Sequence, residues 1–488
     1  MGENTIITES DLRHILRRTG FGPTPKDFSK ADHLIGQTRG VAADYVLGLN
    51  RKVLKAKGKE NLDVHNKWVK HLLKGKTPFI DKTVLFWHDH FSVSANVVDI
   101  PEAMTLHLIN HYTYALGNFK DYVKAINKDA AMMVFLNTVD NEKAIPNENY
   151  PRELCELFTL GVFDLNGVEN YAQEDIVQIA RAFTGWRVED DGVPFLNTNQ
   201  HDYEIDFPER GPKAIFDNAH GFPPGGGSFT TSGEGEAEID VVIDLIFDHL
   251  DSDGMNTVAR RTAFRLLEFF AYANPDKTIV DEVVSGSSFD SSWNIEALIR
   301  EIMVHDAFFE TAATPPFVAT TKKSVKWPID YVVSTMRLTR TKAKGKFLIL
   351  RGGQELELVD HLGNMGQIIG DPPSVFGWDW EAGWISSSTL LARYTFARDI
   401  INNRESGAFK PKRLMDLSLT DPGEIADAVT DVLGVTDQLT SIERDHLIDY
   451  LTDNGASPVL DLGDEDVLNT KLHGLFALVM QSPAYQLH

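Results

Sequence analysis

The sequence predicts an all-α protein, a multihelical globule with one small β-hairpin. Apolar residues recur at helical spacing between capping residues, as in residues 8–19, where Leu12, Ile15 and Leu16 form a stripe that ends at Gly20. Hairpin-like alternation appears in GKFLILRGGQELELV, residues 345–359, and Gly352–Gly353 predicts the turn. Hydrophobic residues at 42% and charged residues at 24% are ordinary globular values, which exclude wholesale disorder.

The charge balance restricts the class of partner. The 488 residues include 71 Asp and Glu against 47 Lys and Arg, a formal charge of −24. This balance excludes nucleic acid or an anionic membrane as the main partner and fits a soluble protein that meets cations. The single cysteine, Cys155, excludes an intramolecular disulfide.

No targeting or membrane segment is visible in the sequence. There is no run of about eighteen apolar residues, so no transmembrane segment is expected. The first residues, MGENTIITESDLRHIL, lack the basic and apolar regions of a secretory signal. The default expectation is therefore a cytoplasmic location, and an extracytoplasmic one reached by another route stays open.

The first helix, residues 8–19, carries three neighbouring arginines in an otherwise acidic chain, Arg13, Arg17 and Arg18. The structural interpretation is that they form surface ion pairs. The functional alternative is that they bind an acidic segment or a phosphate.

Residues 79–92 are apolar on nearly every side, which predicts a buried helix with His88 and His90 inside. Two residues apart on a helix, these histidines point about 200° from each other, so they share one metal ion only if the helix breaks there. Asp89 between them needs a partner wherever it points.

The helix expected at 102–116 places His107 and His111 on one face, a spacing found in zinc-binding helices. No Glu follows His107, so the zinc-protease motif is not met. Buried histidines with a structural role are the alternative. Residues 118–138 read as one further helix.

The chain is organised around its central stretch, residues 145–187, which predicts two helices. The first has Pro151 in its opening turn and stops at Gly161; the second has Asn170 as N-cap and ends at Gly185. On the first helix, Arg152, Glu153 and Glu156 share the arc opposite the apolar residues. Two carboxylates three residues apart hold a metal ion or divide acid and base roles; alternatively Arg152 and Glu156 are a surface ion pair.

The amino-acid sequence of this stretch resembles that of a known family. NENYPRELCELFTLGV and YAQEDIVQIARAFTGW are similar to the central signature of an uncharacterised, mostly bacterial family catalogued as domain of unknown function 1800. The resemblance extends to LRHILRRTGFGPTP, FWHDHF, DPPSVFGWDWEAGWISSSTLLAR and SPAYQ, and so to nearly the whole chain. It implies no settled activity. Relatives are often found beside a second uncharacterised family that looks like secreted phosphatases and sulfatases, which implies a partner-protein role.

The composition of the chain divides it into three regions. Residues 1–195 are expected to form an N-terminal helical core, residues 196–238 a Gly- and Pro-rich loop, and residues 239–488 a C-terminal helical part packed with the first as one unit. The loop is either a lid over a pocket or a tolerated surface insertion. Farther on, Trp378, Trp380 and Trp384 either anchor a loop to the core or stack on sugars or bases.

Two functional hypotheses result. The first is a metal-dependent enzyme. Its divalent metal ion would be held by Glu153, Glu156, Asp175 and either His88 or His90. Arg152 would orient a carboxylate or an anionic substrate, and Glu153 and Glu156 would take part in catalysis. The second is a non-catalytic binding or assembly protein, in which the same residues form a polar network that fixes helix packing and the partner is another protein. Convergence of the carboxylates and a histidine on one point distinguishes the two.

Overall fold

The computed structural model describes residues 2–49, 61–203, 206–217, 228–229, 235–309, 324–342, 347–349, 355–402, 409–457 and 459–488. Within these ranges the fold is all-α, as predicted. The helices of the first half are α1 Glu9–Arg18, α2 Pro25–Ala31, α3 Arg39–Leu47, α4 Asn61–Lys74, α5 Pro78–His90, α6 Ala95–Val98, α7 Pro101–Tyr114, α8 Phe119–Asn127, α9 Ala130–Phe135, α10 Asn149–Glu153, α11 Gln173–Ala182 and α12 Gly235–Phe247.

The second half continues with α13 Thr257–Phe270, α14 Lys277–Ser287, α15 Phe289–Ser292, α16 Ile295–Val304, α17 Asp306–Phe309, α18 Pro328–Leu338, α19 Leu358–Asn364, α20 Ser387–Asn402, α21 Pro422–Val432, α22 Ser441–Thr452, α23 Glu465–Val467, α24 His473–Gln481 and α25 Pro483–Gln486. Two π-helices are Leu154–Thr159 and Leu468–Leu472. Short 3₁₀ turns are Asp32–Leu34, Thr138–Asp140, Thr198–Gln200, Pro208–Arg210, Glu381–Trp384, Pro411–Arg413 and Thr436–Gln438.

Strands of the described residues pair as antiparallel two-stranded ribbons. They are β1 Trp186–Val188 with β2 Pro194–Leu196, β3 Lys213–Ala214 with β4 Ser228–Phe229, and β5 Phe347–Ile349 with β6 Glu355–Glu357. The third ribbon confirms the predicted hairpin, with Leu348 opposite Leu356. Its expected turn at Gly352–Gly353 lies outside the described residues. The first ribbon begins at the end of the central stretch, the second follows it, and neither was expected from the sequence.

Helix α5 forms the centre of the core, and every residue from Phe79 to His90 is buried as the sequence predicts. The Trp87 ring stacks on Phe91 and Phe119, and its indole N–H donates to the Ala115 carbonyl. Burying large aromatic side chains of this kind supplies much of the apolar stabilisation of a core.

The arginines of α1 are internal partners rather than a free cationic surface. Arg17 pairs with Asp437 at 2.7 Å. The guanidinium of Arg18 donates to the carbonyls of Phe269 and Ala271 at the end of α13. Helix α1 is thereby tied to two distant parts of the chain. Arg17 forms an ion pair, but at a buried position rather than at the surface, and Arg18 donates to backbone carbonyls instead.

Two helix assignments differ from the sequence expectation. The helix expected at 118–138 is broken, because the Asp129 side chain accepts from the N–H of Met132 and so begins a new helix, α9. Asn170 is not the N-cap of α11: its buried amide donates to the carbonyls of Leu160 and Gly161 instead. None of the helices in the described ranges has the length and apolar character needed to cross a bilayer.

Candidate functional site

The first central helix is partly a π-helix. Helix α10 continues into the π-helical segment Leu154–Thr159, where the N–H of Leu160 donates to the Cys155 carbonyl five residues back. Gly161 then stops the helix with a φ of +80°, as expected. Segments of this kind often occur at functional sites, and the extra residue per turn changes which side chains share a face.

Arg152 closes a small polar network between α10 and α11. Its Nη2 donates to Glu148 Oε2 and Gln173 Oε1, both at 2.9 Å, and the Gln173 amide donates to the same Glu148 oxygen at 2.7 Å. Nη1 lies 3.6 Å from Glu156 Oε1. The Arg152 side chain is 36% exposed, so the network lies at the surface of the fold.

Glu153 and Glu156 lie on either side of the start of the π-helix and differ in environment. The Oε2 atom of Glu153 is buried and has no hydrogen-bond partner among the described residues. Burial and the neighbouring Glu156 charge raise the pKa of Glu153. Glu156 is 25% exposed, and burial together with its carboxylate raises the pKa of the adjacent Tyr171.

Because Glu156 is only half-buried, replacing it by Gln is expected to lower the free energy of unfolding by no more than about 1 kcal/mol. The ion pair with Arg152 is long, and Arg152 keeps Glu148 as a partner. Urea titration of the variant beside the parent protein measures the change. A loss of about 3 kcal/mol or more would show instead that the charge is buried in an essential network.

Asp175 accepts hydrogen bonds from the backbone of two segments. Its Oδ2 accepts from the N–H of Ala172 at 2.7 Å, which caps α11, and its Oδ1 accepts from the N–H of Phe216 at 2.6 Å. The carboxylate therefore joins the start of α11 to residues 213–217. Each carboxylate oxygen accepts one of these hydrogen bonds.

His88 and His90 bind the backbone of two different segments. The N–H of Gly370 donates to Nε2 of His88 at 3.0 Å, and Nε2 of His90 donates to the Phe158 carbonyl at 3.1 Å. Burial lowers the pKa of His90 to about 3, so this ring is neutral at pH 7. The His90 contact also shows α5 packed against the π-helix, as the apolar surfaces of both segments predict.

Asp89, between the two histidines, anchors the tryptophan loop. Its Oδ1 accepts from the Trp378 N–H at 2.9 Å, and its Oδ2 accepts from the Trp380 indole at 2.8 Å. The guanidinium of Arg265 lies over the Trp380 ring, 4.0 Å from its centroid. A side chain at Gly377, where φ is +78°, would clash with the Asp89 carboxylate. In this structure the tryptophans therefore anchor the loop to the core.

Asp89 gives a testable pH dependence. Burial raises the pKa of Asp89 from 3.8 to about 6, against the opposing effects of Arg265 and the two tryptophan N–H groups. Between these two values the folded chain binds more protons than the unfolded chain, so this group makes folding less favourable as pH rises from about 4 to about 6. The unfolding free energy of the parent minus that of Asp89→Asn should fall by roughly 2–3 kcal/mol over this range and then stay level. A constant difference from pH 4 to pH 7 would contradict the assignment.

The His107–His111 pair forms a buried hydrogen-bonded chain. His107 Nδ1 donates to Asp129 at 3.0 Å, and the Nε2 atoms of the two histidines are 3.0 Å apart. Tyr122 donates its hydroxyl to Nδ1 of His111. One tautomer of each ring satisfies every link, in which Nε2 of His111 donates and Nε2 of His107 accepts. The chain is complete without a metal ion.

The predicted metal ligands are not drawn together by these contacts. Across the described ranges, no group of three or more His, Cys, Asp or Glu side chains is placed to hold a metal ion. Glu153 and Glu156 are neighbours, whereas Asp175, His88 and His90 each bind backbone groups elsewhere. The ligand set therefore stays a prediction.

Sequence reasoning missed a buried ionic cluster at the end of α11, formed in part by residues 201, 202, 213 and 238. Lys213 Nζ lies 2.5 Å from Glu238 Oε2, and His201 Nε2 lies 3.1 Å from Glu238 Oε1. Arg181 Nε donates to Asp202 at 3.1 Å. All five side chains are almost fully buried. The one signal in the sequence was the appearance of His201, Asp202 and Lys213 in a segment without helical periodicity.

A cleft opens beside the second central helix, and we name it the acidic cleft. Its volume is about 760 Å³. It is lined by Phe163, Gly167, Val168, Glu169, Tyr171, Ala172, Glu174, Asp175, Gln178, Ala214 and Asp217. Four of these residues are acidic and none is basic. Phe163 is 55% and Val168 41% exposed, so apolar side chains and negative charge share one concave surface.

The fold and these contacts define an all-α protein whose polar central helices border an acidic cleft. The chain belongs to the family described as "Protein of unknown function (DUF1800)", whose model matches residues 14–487. No curated protein and no solved structure matches the chain.

Proposed function

We propose that this chain is a non-catalytic binding protein whose acidic cleft takes a basic segment of another protein. The observation that carries the proposal is the composition of the cleft lining: four acidic residues and no basic one, beside exposed apolar side chains. Exposed apolar residues next to charge of one sign are typical of a surface that recognises a complementary partner.

The polar network beside the cleft supports a structural role for the central helices. Arg152 joins Glu148 to Gln173, and Asp175 joins the start of α11 to Phe216. The Asp175 contact joins α11 to the segment that carries Ala214 and Asp217 of the cleft lining, and the Arg152 network holds α10 against α11 outside the cleft. A rigid cleft lowers the ordering cost of binding.

The charge of the cleft favours a cationic partner. Glu169 and Glu174 line the cleft and are exposed, and the hydrogen bond that Glu174 accepts among the described residues comes from the neutral amide of Gln178. Lys or Arg side chains of a bound segment would pair with these carboxylates, while an apolar side chain would cover Phe163. Such exposed charges mainly raise the association rate and give specificity.

Fluorescence anisotropy with a labelled twelve-residue peptide of alternating Lys and Leu tests the proposal. Glu169→Gln/Glu174→Gln is expected to weaken binding by about fivefold to tenfold, and Phe163→Ser by a similar factor. The control Glu424→Gln/Asp445→Asn removes two exposed carboxylates far along the chain and should change affinity by less than about twofold. An analogue with Glu in place of Lys that binds equally well would contradict the proposal, as would cleft variants that behave like the control.

A second candidate is a divalent-metal site at Glu153 and Glu156. It is favoured by the buried, unpartnered Oε2 of Glu153 and by the mutual repulsion of the two carboxylates, which a cation would relieve. Arg152, Glu153 and Glu156 would then be the residues near a reactive metal-bound water. The test is element analysis of the purified protein together with its melting temperature in Mg²⁺, Mn²⁺ or Zn²⁺. A metal-dependent rise that Glu153→Gln abolishes supports this candidate; no bound metal and no rise contradicts it.

A further inference from the structure

A second cleft, here named the basic groove, concentrates positive charge in this acidic protein. It has a volume of about 630 Å³ and lies between the end of α4, the start of α2 and the end of α18. Its cationic lining residues are Lys26, Lys30, Lys74, Lys76, Arg337, Arg340 and Lys342, and its one carboxylate is Asp27. Seven cations facing one anion is the reverse of the whole chain, which carries a formal charge of −24.

The one carboxylate is already used by the arginine in the floor of the groove. Arg337 Nη2 donates to Asp27 Oδ2 at 2.8 Å, and Nη1 donates to the Phe21 carbonyl at 3.4 Å. The Arg337 side chain is 9% exposed, so these contacts hold it in place. A Cβ atom on Gly75 would overlap this guanidinium, so Gly75 lets the arginine reach the groove.

Of the remaining cations, Lys30 lies 3.9 Å from the same carboxylate, Asp27. Lys26, Lys74, Lys76 and Lys342 are exposed and form no ion pair with any residue that the structure describes. Arg340 donates one N–H to a backbone carbonyl. Like charges gathered around one space repel each other, and a bound anion would relieve this repulsion.

A small recess continues the groove inward. It has a volume of about 110 Å³ and shares Lys30, Lys76 and Arg337 with the groove, while its other wall includes Phe21 and Tyr45. Together, the groove and the recess place cationic side chains next to an apolar surface that includes Phe21 and Tyr45. This shape suits a compact anionic group that carries a short apolar or ring portion.

We propose that the basic groove binds a small molecule with a multivalent phosphate group. Lys ammonium groups bind phosphate as point charges, and Arg adds directional N–H donors. A compact anion neutralises the local excess of cations without extending over the negative remainder of the surface, which would repel a long polyanion. The site involves other elements than the acidic cleft and does not depend on the proposed function.

Isothermal titration of the full chain with inorganic pyrophosphate and with ADP tests this proposal. Both are expected to bind, with an affinity that falls several-fold between about 50 and 300 mM KCl. Lys74→Gln/Lys76→Gln should weaken both by at least about tenfold. The matched control is Lys70→Gln, which lies one turn away on α4, is exposed and does not line the groove; it should change affinity by less than about twofold.

Comparing the affinities of ADP and pyrophosphate shows whether the apolar or ring portion of the ligand occupies the recess. Tighter binding of ADP than of pyrophosphate would show that an organic phosphate uses the recess, and equal binding would show that the phosphate group alone is recognised; both support the site. The proposal is overturned if neither probe binds at about 5 mM, if Lys70→Gln loses as much affinity as the groove variant, or if duplex DNA or a poly-glutamate peptide binds the groove more tightly than pyrophosphate.

Discussion

Replacing Lys82 by Met is expected to lower the free energy of unfolding by about 3–5 kcal/mol. Lys82 on α5 lies 2.5 Å from Asp330 on α18, and the two side chains are 3% and 1% exposed. Although burial opposes it, Lys82 and His488 lower the pKa of Asp330 to about 2, so the carboxylate is charged at pH 7. Removing the ammonium group would leave this charge in an apolar core.

The double variant Lys82→Met/Asp330→Leu distinguishes the loss of the ion pair from the cost of leaving one buried charge without a partner. It should recover most of the loss, because an apolar pair of similar size no longer strands a charge. Lys124→Met is the matched control: its surface ion pair with Asp244 is part-exposed, and its loss should stay below about 1 kcal/mol. Guanidinium titration measures all three. A loss below about 1 kcal/mol for Lys82→Met would mean that the contact between α5 and α18 does not stabilise the core.

Glu238→Gln should have the second largest effect, about 3 kcal/mol or more. Its two carboxylate oxygens face Lys213 and His201, and all three side chains are almost fully buried. A Gln side chain offers one neutral amide oxygen in place of two carboxylate oxygens, so it can accept from Lys213 or from His201 but no longer neutralises the Lys213 charge, and its NH2 group faces the other partner.

Glu236→Gln provides the control, since Glu236 is exposed on the same helix, two residues earlier. Thermal and denaturant unfolding of both variants should show a large loss for position 238 and almost none for position 236. Equal losses at the two positions would show that the ionic cluster does not hold His201 and Lys213 in place.

The sequence predicted the fold class because helical periodicity is local. Thr8 caps α1 with Asp11 completing the box, and the nearly uniform apolar character of residues 79–91 marked α5 as buried. The paired alternating runs near residue 350 indicated the hairpin for the same reason. Each of these signals is carried by residues close together in the chain.

The site was less predictable because its contacts are distant in sequence. Asp175 suits a metal-ligand pattern, yet it binds the N–H of Phe216, 41 residues later. His88 accepts from Gly370, 282 residues away. The π-helix at Leu154–Thr159 has more residues per turn than an α-helix. The prediction that Glu153 and Glu156 share one face assumed α-helical spacing. The basic groove was hidden for the same reason, because its cations come from segments around residues 26, 74 and 340.

Hydrogen exchange of the chain with and without the Lys/Leu peptide tests the central proposal most directly. If the acidic cleft is the binding surface, amides of residues 163–178 and 213–217 should gain protection, and Glu169→Gln/Glu174→Gln should abolish the gain. Protection confined to other segments, with residues 163–178 unchanged at saturating peptide, would contradict the binding function proposed for this cleft.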